Sequence, residues 1–487
     1  MKNPLSRFLT ESLRRFFLVV QSRKTAMAGA LMLAVFCPVL ILSLIWNWFG
    51  NLQNPYLDFF NYLVFAPLAL LGLVLLIAGI MTQGGEDVGL YAYEYLREQF
   101  IMPGRHTRIR KFILLVVGLS VALLLVVAAT FYSGLRYTDT TGFCANFCHT
   151  VMEPHATTHA NSSHSQVSCV SCHIAKGAGL ATKTKLTGAR QIAATLLDTY
   201  PRPITSPITV LRPTEKDCRS CHRPEKHSEH NFKIIDQFLT DEANTHVQTL
   251  LLMKIGAGGH PSPSAHGIHW HTSENHQVRY AVARDDRNTI NTVEVANKDG
   301  KRTSYVKNGQ ASALPTTGAE SLQLMDCMDC HNRVGHPFFS PGQAIDQKLL
   351  ARRIPSELPY IKQQALAVLG KIYRGRLDGR IAINRDIHAW YAEHYPEIAK
   401  GKNDLIKRAV AGIVEAWEEN VFPAMAVTWG TYPNTLGHAG CFRCHNDRLR
   451  DALGKTISAE CDTCHIVLAE KISPAQAHKQ FGILPSP

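Results

Sequence analysis

Five short runs place two cysteines three positions apart with a histidine directly behind them. They are CVSCH (Cys169–His173), CRSCH (Cys218–His222), CMDCH (Cys327–His331), CFRCH (Cys441–His445) and CDTCH (Cys461–His465). At that spacing two thiols add to the two vinyl groups of one porphyrin, and the next residue presents an imidazole to its iron. A sixth run, CANFCH (Cys144–His149), stands first in the chain and carries one extra residue between its thiols. One such run alone is equally half of a zinc site. Five that all end in histidine argue against zinc knuckles, which need two pairs per metal. Twelve of the 13 cysteines are used in these runs, so their arrangement does not read as a disulfide framework. We number the runs as motifs 1 to 6 in chain order, and they imply six covalently bound haem c groups. The thioether pairs are Cys144 with Cys148, Cys169 with Cys172, Cys218 with Cys221, Cys327 with Cys330, Cys441 with Cys444, and Cys461 with Cys464. For motif 1, attachment through Cys148 alone and a Cys144–Cys148 disulfide stay open as readings.

Each iron has a further axial position, and the chain has 23 histidines to fill it. The candidates lie close to the motifs. His155, His159 and His164 precede motif 2. His227 and His230 follow motif 3 in CHRPEKHSEH. His266, His269, His271 and His276 cluster in AHGIHWHTSENH. His336 trails His331 by five residues, His438 stands before motif 5, and His478 follows motif 6. Any one of these, taken singly, reads as a surface or hydrogen-bonding histidine. His260, His388 and His394 read as structural, the last two in DIHAWYAEHYP, an amphipathic helical pattern.

Something must hold the motifs against a membrane. Three apolar runs stand near the N-terminus, at about 25–49, 62–82 and 112–133, each long enough to cross roughly 30 Å of hydrocarbon. Lys2, Arg7, Arg14, Arg15, Arg23 and Lys24 precede the first. Arg97, Arg105, Arg108, Arg110 and Lys111 lie between the second and third, with His106 among them. The loop between the first two has no basic residue. The positive-inside rule then puts the N-terminus in the cytoplasm and the motifs outside, where c-type haems are attached. Trp46, Trp48, Tyr56 and Tyr62 suit an outer aromatic belt, and Cys37 simply packs mid-span. The net charge of +12 matches about two propionates on each of six haems, and no basic run is interleaved with aromatics as nucleic-acid binding would need.

The fold expected is mainly α: three N-terminal transmembrane helices, then a periplasmic multihaem c-type cytochrome region with a small β-hairpin insertion. The divisions are a basic leader 1–24, a membrane domain 25–133, a first haem region 138–236, an insertion 237–326, and a C-terminal haem region 327–487 with helices. In the insertion, HQVRYAVARDDRNTINTVEVANKDGKRTSYV alternates apolar and polar residues around turn signals. PGQAIDQKLLARRI, PYIKQQALAVLGKIY and KNDLIKRAVAGIVEAWEENVF carry helical period. No P-loop, G-x-G-x-x-G or nucleophile elbow is present.

HANSSHSQVSCVSCH, DCRSCH and CMDCHNRVGH together resemble the NapC/NirT/NrfH family of membrane-anchored multihaem quinol dehydrogenases. GIHWH, CFRCHNDRL and the closing CDTCH extend the likeness to its larger ImcH-type inner-membrane members. The family usually has one anchor helix, where this chain has three apolar runs. The resemblance implies oxidation of menaquinol at the outer face and delivery of electrons to periplasmic c-type cytochromes or reductases. It implies that His164 and His336 are distal ligands. It makes motif 1 the haem site nearest the membrane, with His149 or Met152 on its iron. It implies a lysine near the quinol, for which Lys183 and Lys185 are candidates, while the family's nearby acidic residue is Gln191 or missing. A solvated helix face is the rival reading of KTKLTGARQIAATLLDTY. Two other functions stay in play: a terminal reductase of a small oxyanion, which needs an open iron position, and an electron-connecting subunit of a larger membrane complex.

Overall fold

The three apolar runs form helices α1 (Lys24–Phe49), α2 (Ala66–Thr82) and α3 (His106–Tyr137). The computed structural model describes residue 20 and residues 23–49, 60–82, 106–147, 149–173, 187–188, 190–206, 218–222, 229–256, 267–273, 275–282, 289–307 and 322–483. Cys148, Lys183, Lys185, His227, His260, His266, Tyr56, the basic residues up to Arg15, and Arg97 and Arg105 lie outside these residues. The chain divides into two units, Met1–Phe147 and Cys148–Pro487.

Among the described residues, one helical stretch, Lys24–Leu42, is long and apolar enough to cross a membrane, and the stretches Ala66–Gly79 and Val121–Gly134 are apolar but shorter. The second run is helical from Phe60 to Thr82: its first turn, Phe60–Phe65, is a π-helix and the α-helix begins at Ala66. Pro67 explains the boundary: it lacks an N–H and is tolerated in the first turn of a helix rather than its interior. Gly29 of α1 lies against the Gly72 carbonyl and the Leu76 backbone of α2, and Gly79 against Ala26. Small residues in this way let two helix backbones meet closely in an apolar setting. The Arg23 guanidinium donates to the Gly79 carbonyl at 3.1 Å, which places the start of α1 beside the end of α2. Leu31, Leu42, Val74 and Leu125 stand exposed, a surface suited to hydrocarbon rather than water.

The second unit opens with α4 (His149–Ala160) and holds a helical layer of α5 (Pro341–Leu350), α6 (Ile361–Leu369), α7 (Arg376–His394), α8 (Pro396–Gly401) and α9 (Asn403–Glu418), with α10 (Pro474–Phe481) near its end. Ile406, Ala409, Val410, Ile413, Ala416 and Trp417 are the buried stripe of α9, at the spacing of one helix face. They pack with Ile345, Ile361, Leu369, Ile383, Ile387 and Tyr391 into the largest core. Ser340 and Gln343 form a capping box at α5, and Ser473 and Gln476 one at α10.

Two antiparallel sheets complete the unit. The first has order β1 (His230–Phe238), β2 (His246–Lys254), β8 (His465–Ile472). The second has order β6 (Gln323–Leu324), β3 (His276–Val282), β4 (Ile290–Asn297), β5 (Arg302–Lys307), β7 (Leu449–Arg450). Where the alternation predicts a small hairpin, β3–β4–β5 form a meander, and its second turn closes at Gly300, whose φ of +77° no β-branched residue would tolerate. The insertion carries more sheet than expected, and its strands share both sheets with strands from the C-terminal region. The fold is thus mainly helical with two sheets rather than one hairpin.

The strands matter because they abut the motifs. β6 leads into motif 4, β7 follows motif 5, and β8 begins on His465 itself. The β1–β2 turn is tied to the helical layer by Asn244, whose side chain donates to the Leu358 carbonyl at 2.8 Å and accepts from the Lys362 backbone at 2.9 Å. Asp346 accepts from the Phe238 backbone at 3.1 Å and pairs with buried Lys362 at 2.5 Å. A scaffold of helices therefore fixes the sheet, and the sheet fixes the motifs.

Candidate functional site

The five standard motif histidines each face a second histidine. His173 faces His336 with ring centroids 6.1 Å apart. His222 faces His164 at 5.9 Å. His331 faces His269 at 6.3 Å, and His445 faces His271 at 5.8 Å. His465 faces His438 at 6.0 Å. A metal–imidazole bond is about 2 Å and the ring centre lies about 1.1 Å further, so two imidazoles trans on one iron sit roughly 6 Å apart. Each pair joins one motif histidine to one outside the motifs, and no histidine serves in two of these five. The residues present therefore fit covalent haem c with two axial imidazoles. Among the described residues no three His, Cys, Asp or Glu side chains converge as a zinc site would require.

Hydrogen bonds orient the rings. His336 Nδ1 meets the His155 carbonyl at 2.9 Å, His271 Nδ1 the Ile268 carbonyl at 2.9 Å, and His445 Nδ1 the Ser458 carbonyl at 2.5 Å. A protonated Nδ1 held by a carbonyl leaves Nε2 with its lone pair toward the partner ring, the usual tautomer of a metal-bound histidine. Dehydration in the crowded site pushes the His336 imidazole down to about 3, helped by the neighbouring His155 and opposed by that carbonyl. His155 is pushed down to about 4, first by burial and then by Arg333. Both rings are held neutral, the form that donates to iron.

Cysteines of successive motifs lie close enough to influence one another, in an order that follows the chain. Cys218 hydrogen-bonds Cys327, and this contact, with burial and the nearby Cys172, drives the Cys218 thiol upward. Cys330 is pushed up to about 11 by burial and by Cys441. Cys444 is pushed up to about 12 by burial, with Cys330 close. Cys441 in turn neighbours Cys464. Motif 2 thus adjoins motif 3, motif 3 motif 4, motif 4 motif 5, and motif 5 motif 6.

The two cysteines of a motif are not equally exposed, and Cys221 is one example. It stands exposed, as Cys172 and Cys461 do, while its partner Cys218 is half-buried against motif 4. The Cys221 backbone donates to the Cys218 carbonyl at 3.2 Å and the His222 backbone to the same carbonyl at 2.8 Å, so motif 3 is one tight turn. The Ser220 hydroxyl lies 3.7 Å from the Cys221 sulfur.

Other sequence candidates fall elsewhere. His230 opens β1 opposite Lys254. His276 stacks on Trp270 at 3.8 Å and meets the Trp270 carbonyl, and His478 Nδ1 meets the Ile483 carbonyl at 2.9 Å. His388 and His394 bond the Asn384 and Trp390 carbonyls one turn back at 3.0 Å, as their structural reading expects. His149 and Met152 lie in the first turn of α4, and Met152 is half-buried. Gln191 sits on a helical stretch whose Leu196 and Leu197 are exposed.

The sequence missed what surrounds His336. His155 and His159 project from one face of α4, with ring centroids 5.2 and 5.9 Å from His336. Tyr432 and Phe338 close over His155 at 5.4 and 6.1 Å. Asn332 donates to the Pro433 carbonyl at 3.0 Å and accepts from Thr435 at 3.0 Å, which fastens motif 4 to the approach to motif 5. These contacts join segments far apart in the chain, and no local pattern announces them.

Residues 105–205 match the NapC/NirT cytochrome c family, N-terminal region. The chain is similar to the cytochrome c-type protein ImcH of Geobacter sulfurreducens, 35% identical over 453 residues that cover 92% of this chain and 88% of the relative. No solved structure matches the chain.

Proposed function

We propose that this chain, which belongs to the NapC/NirT cytochrome c family, oxidises menaquinol at the outer membrane face and delivers the electrons singly to periplasmic c-type cytochromes or reductases. Family membership makes it a membrane-anchored multihaem c-type cytochrome. The finer reading holds six haems on the six motifs and three spans in the bilayer. Both thiols of each motif, Cys218 and the exposed Cys221 among them, form the thioether bonds. His173, His222, His331, His445 and His465 serve as proximal ligands, with His336, His164, His269, His271 and His438 opposite them. Bound haem supplies one-electron redox chemistry at a potential set by its axial ligands and surroundings.

The observation that carries the reading is the set of five histidine pairs near 6 Å, each built on a motif histidine. Two imidazoles per iron leave no open position, which suits transfer and works against reduction of an oxyanion at those sites. The chain's own task is then spacing, ligation and dehydration. At the membrane end it must also bind quinol, and Lys183 or Lys185 is proposed to stand near its hydroxyl and orient it. The isolated protein in detergent should show haem reduction on addition of a menaquinol analogue. Haems that respond to dithionite but not to the quinol would overturn quinol oxidation and favour a connecting subunit.

Orientation has its own test. A reporter active only outside the cytoplasm should work when fused after Gly134 and fail when fused near Gly104. The reverse pattern would place the motifs on the side where c-type haems are not attached, and the functional proposal would fall with it.

A further inference from the structure

We propose that the single turn Gly267–Thr272, sequence GIHWHT, supplies axial ligands to two different irons: His269 to the iron of motif 4 and His271 to the iron of motif 5. This rests on the haem reading above and assigns ligands outside the family-matched segment. The turn is a 3-10 helix. With three residues per turn, side chains two positions apart diverge by about 120° and cannot share one axis. Accordingly His269 meets His331 at 6.3 Å with rings 24° apart, while His271 meets His445 at 5.8 Å with rings 74° apart.

Four further observations support one turn reaching two sites. Cys330 of motif 4 neighbours Cys441 and Cys444 of motif 5, so the two attachment sites adjoin. The intervening Trp270 does not compete for either, because it stacks on His276 at 3.8 Å. His271 Nδ1 is taken by the Ile268 carbonyl at 2.9 Å, which leaves Nε2 for the metal. The turn is also anchored as one piece. The His269 backbone donates to the Ile255 carbonyl at 3.1 Å, just past β2, and Gly267 has a φ of +56° with the Lys254 carbonyl where a Cβ would be. At the other end Arg219 of motif 3 donates to the Thr272 carbonyl at 3.4 Å.

The consequence is a junction: motifs 4 and 5 are held in register by one backbone segment rather than by two independent loops. The test reads spin state by electron paramagnetic resonance and magnetic circular dichroism on the full-length protein. His269→Ala and His271→Ala should each convert one haem equivalent from low to high spin. In a protein lacking the motif 4 thiols (Cys327→Ser, Cys330→Ser), His269→Ala should change nothing further and His271→Ala should still convert one haem. Without the motif 5 thiols (Cys441→Ser, Cys444→Ser) the pattern should reverse. Should those backgrounds fail to assemble, His269→Met and His271→Met should each give the charge-transfer band of a methionine-ligated haem, and Gly267→Ala should perturb both haems together. Conversion of the same haem by both alanine variants, or of none, overturns the assignment. Quinol reduction is not the readout, so ligation and quinol oxidation can fail separately.

Discussion

A variant without the motif 1 thiols, Cys144→Ser with Cys148→Ser, is expected to lose quinol-driven reduction while dithionite still reduces its remaining five haems. Cys144 follows α3 closely: the helix ends at Tyr137, and the Cys144 backbone donates to the Thr140 carbonyl at 3.3 Å. Tyr137 and Phe143 pack edge to face at 5.5 Å, and the Phe143 backbone donates to Thr140 Oγ1 at 3.2 Å. This folded-back end of the helix ties Cys144 to the last apolar turns. Quinol is confined to the bilayer, so a redox group held there is the one its headgroup can reach. The rate of quinol reduction should fall by more than about 100-fold, the scale of loss when reacting groups are misplaced by an ångström. Intact mass should drop by one haem. Met152→Ala should shift the spectrum of that same haem if the thioether ligates it. Undiminished quinol reduction in the double serine variant would move the site of electron uptake elsewhere.

The contrast between what can be read from sequence and what cannot follows from range. The motifs are legible because their spacing is the chemistry itself: two thiols and an imidazole must meet one porphyrin, and the chain supplies them within five residues. Spacing does not tell which cysteine of a motif is covered, so the half-burial of Cys218 and the exposure of Cys221 are visible only in three dimensions. The axial partners lack a spacing rule altogether. His336 reads as part of the motif beside it, that of His331, yet it faces His173, because α4 and the approach to His336 pack through Val151, Phe338 and Tyr432. His269 and His271 can be picked out as a cluster, but their division between two motifs needs the 3-10 geometry of the turn. The helices of the second unit are legible from period, as the buried stripe of α9 illustrates. The meander is legible from alternation and from the Asn297–Gly300 turn. β1, with most of its residues exposed, carries no clean alternation, and β6 and β7 are two residues each. Such strands exist because a neighbour pairs with them. In the membrane part, composition marks three runs, whereas the π-helical turn before Pro67 is invisible to it.

Trp417→Ala is expected to cost the second unit about 3–5 kcal/mol, the range for deleting a large buried aromatic side chain. Trp417 is 1% exposed, and its ring lies over Gly379 of α7, where a Cβ would meet ring carbons Cζ3 and Cζ2 at 2.7 and 2.9 Å. Tyr373 stands edge-on to it at 5.5 Å and is itself fixed by donating to the Val368 carbonyl at 2.7 Å, so the ring has little room to slide. Gly379→Ala should therefore also destabilise, by about 1–3 kcal/mol, as overpacking does. The two changes should not add. In the Trp417→Ala background the new methyl enters the vacated space, and its cost should vanish or reverse, a coupling of about 0.5–3 kcal/mol. Urea melts followed by far-ultraviolet circular dichroism on the haem-loaded protein measure all four corners of that cycle. Strict additivity would mean that the indole does not rest on Gly379. The measurement also bears on the proposed haem sites. Asn420, three residues beyond Trp417, accepts from the Phe339 backbone at 2.9 Å and donates to the Ala416 carbonyl at 2.9 Å. Phe339 lies three residues past His336, so loosening α9 should disturb the haem proposed between His173 and His336 at lower urea than the one proposed between His438 and His465, which stand on the short helix His438–Cys441 and at the start of β8.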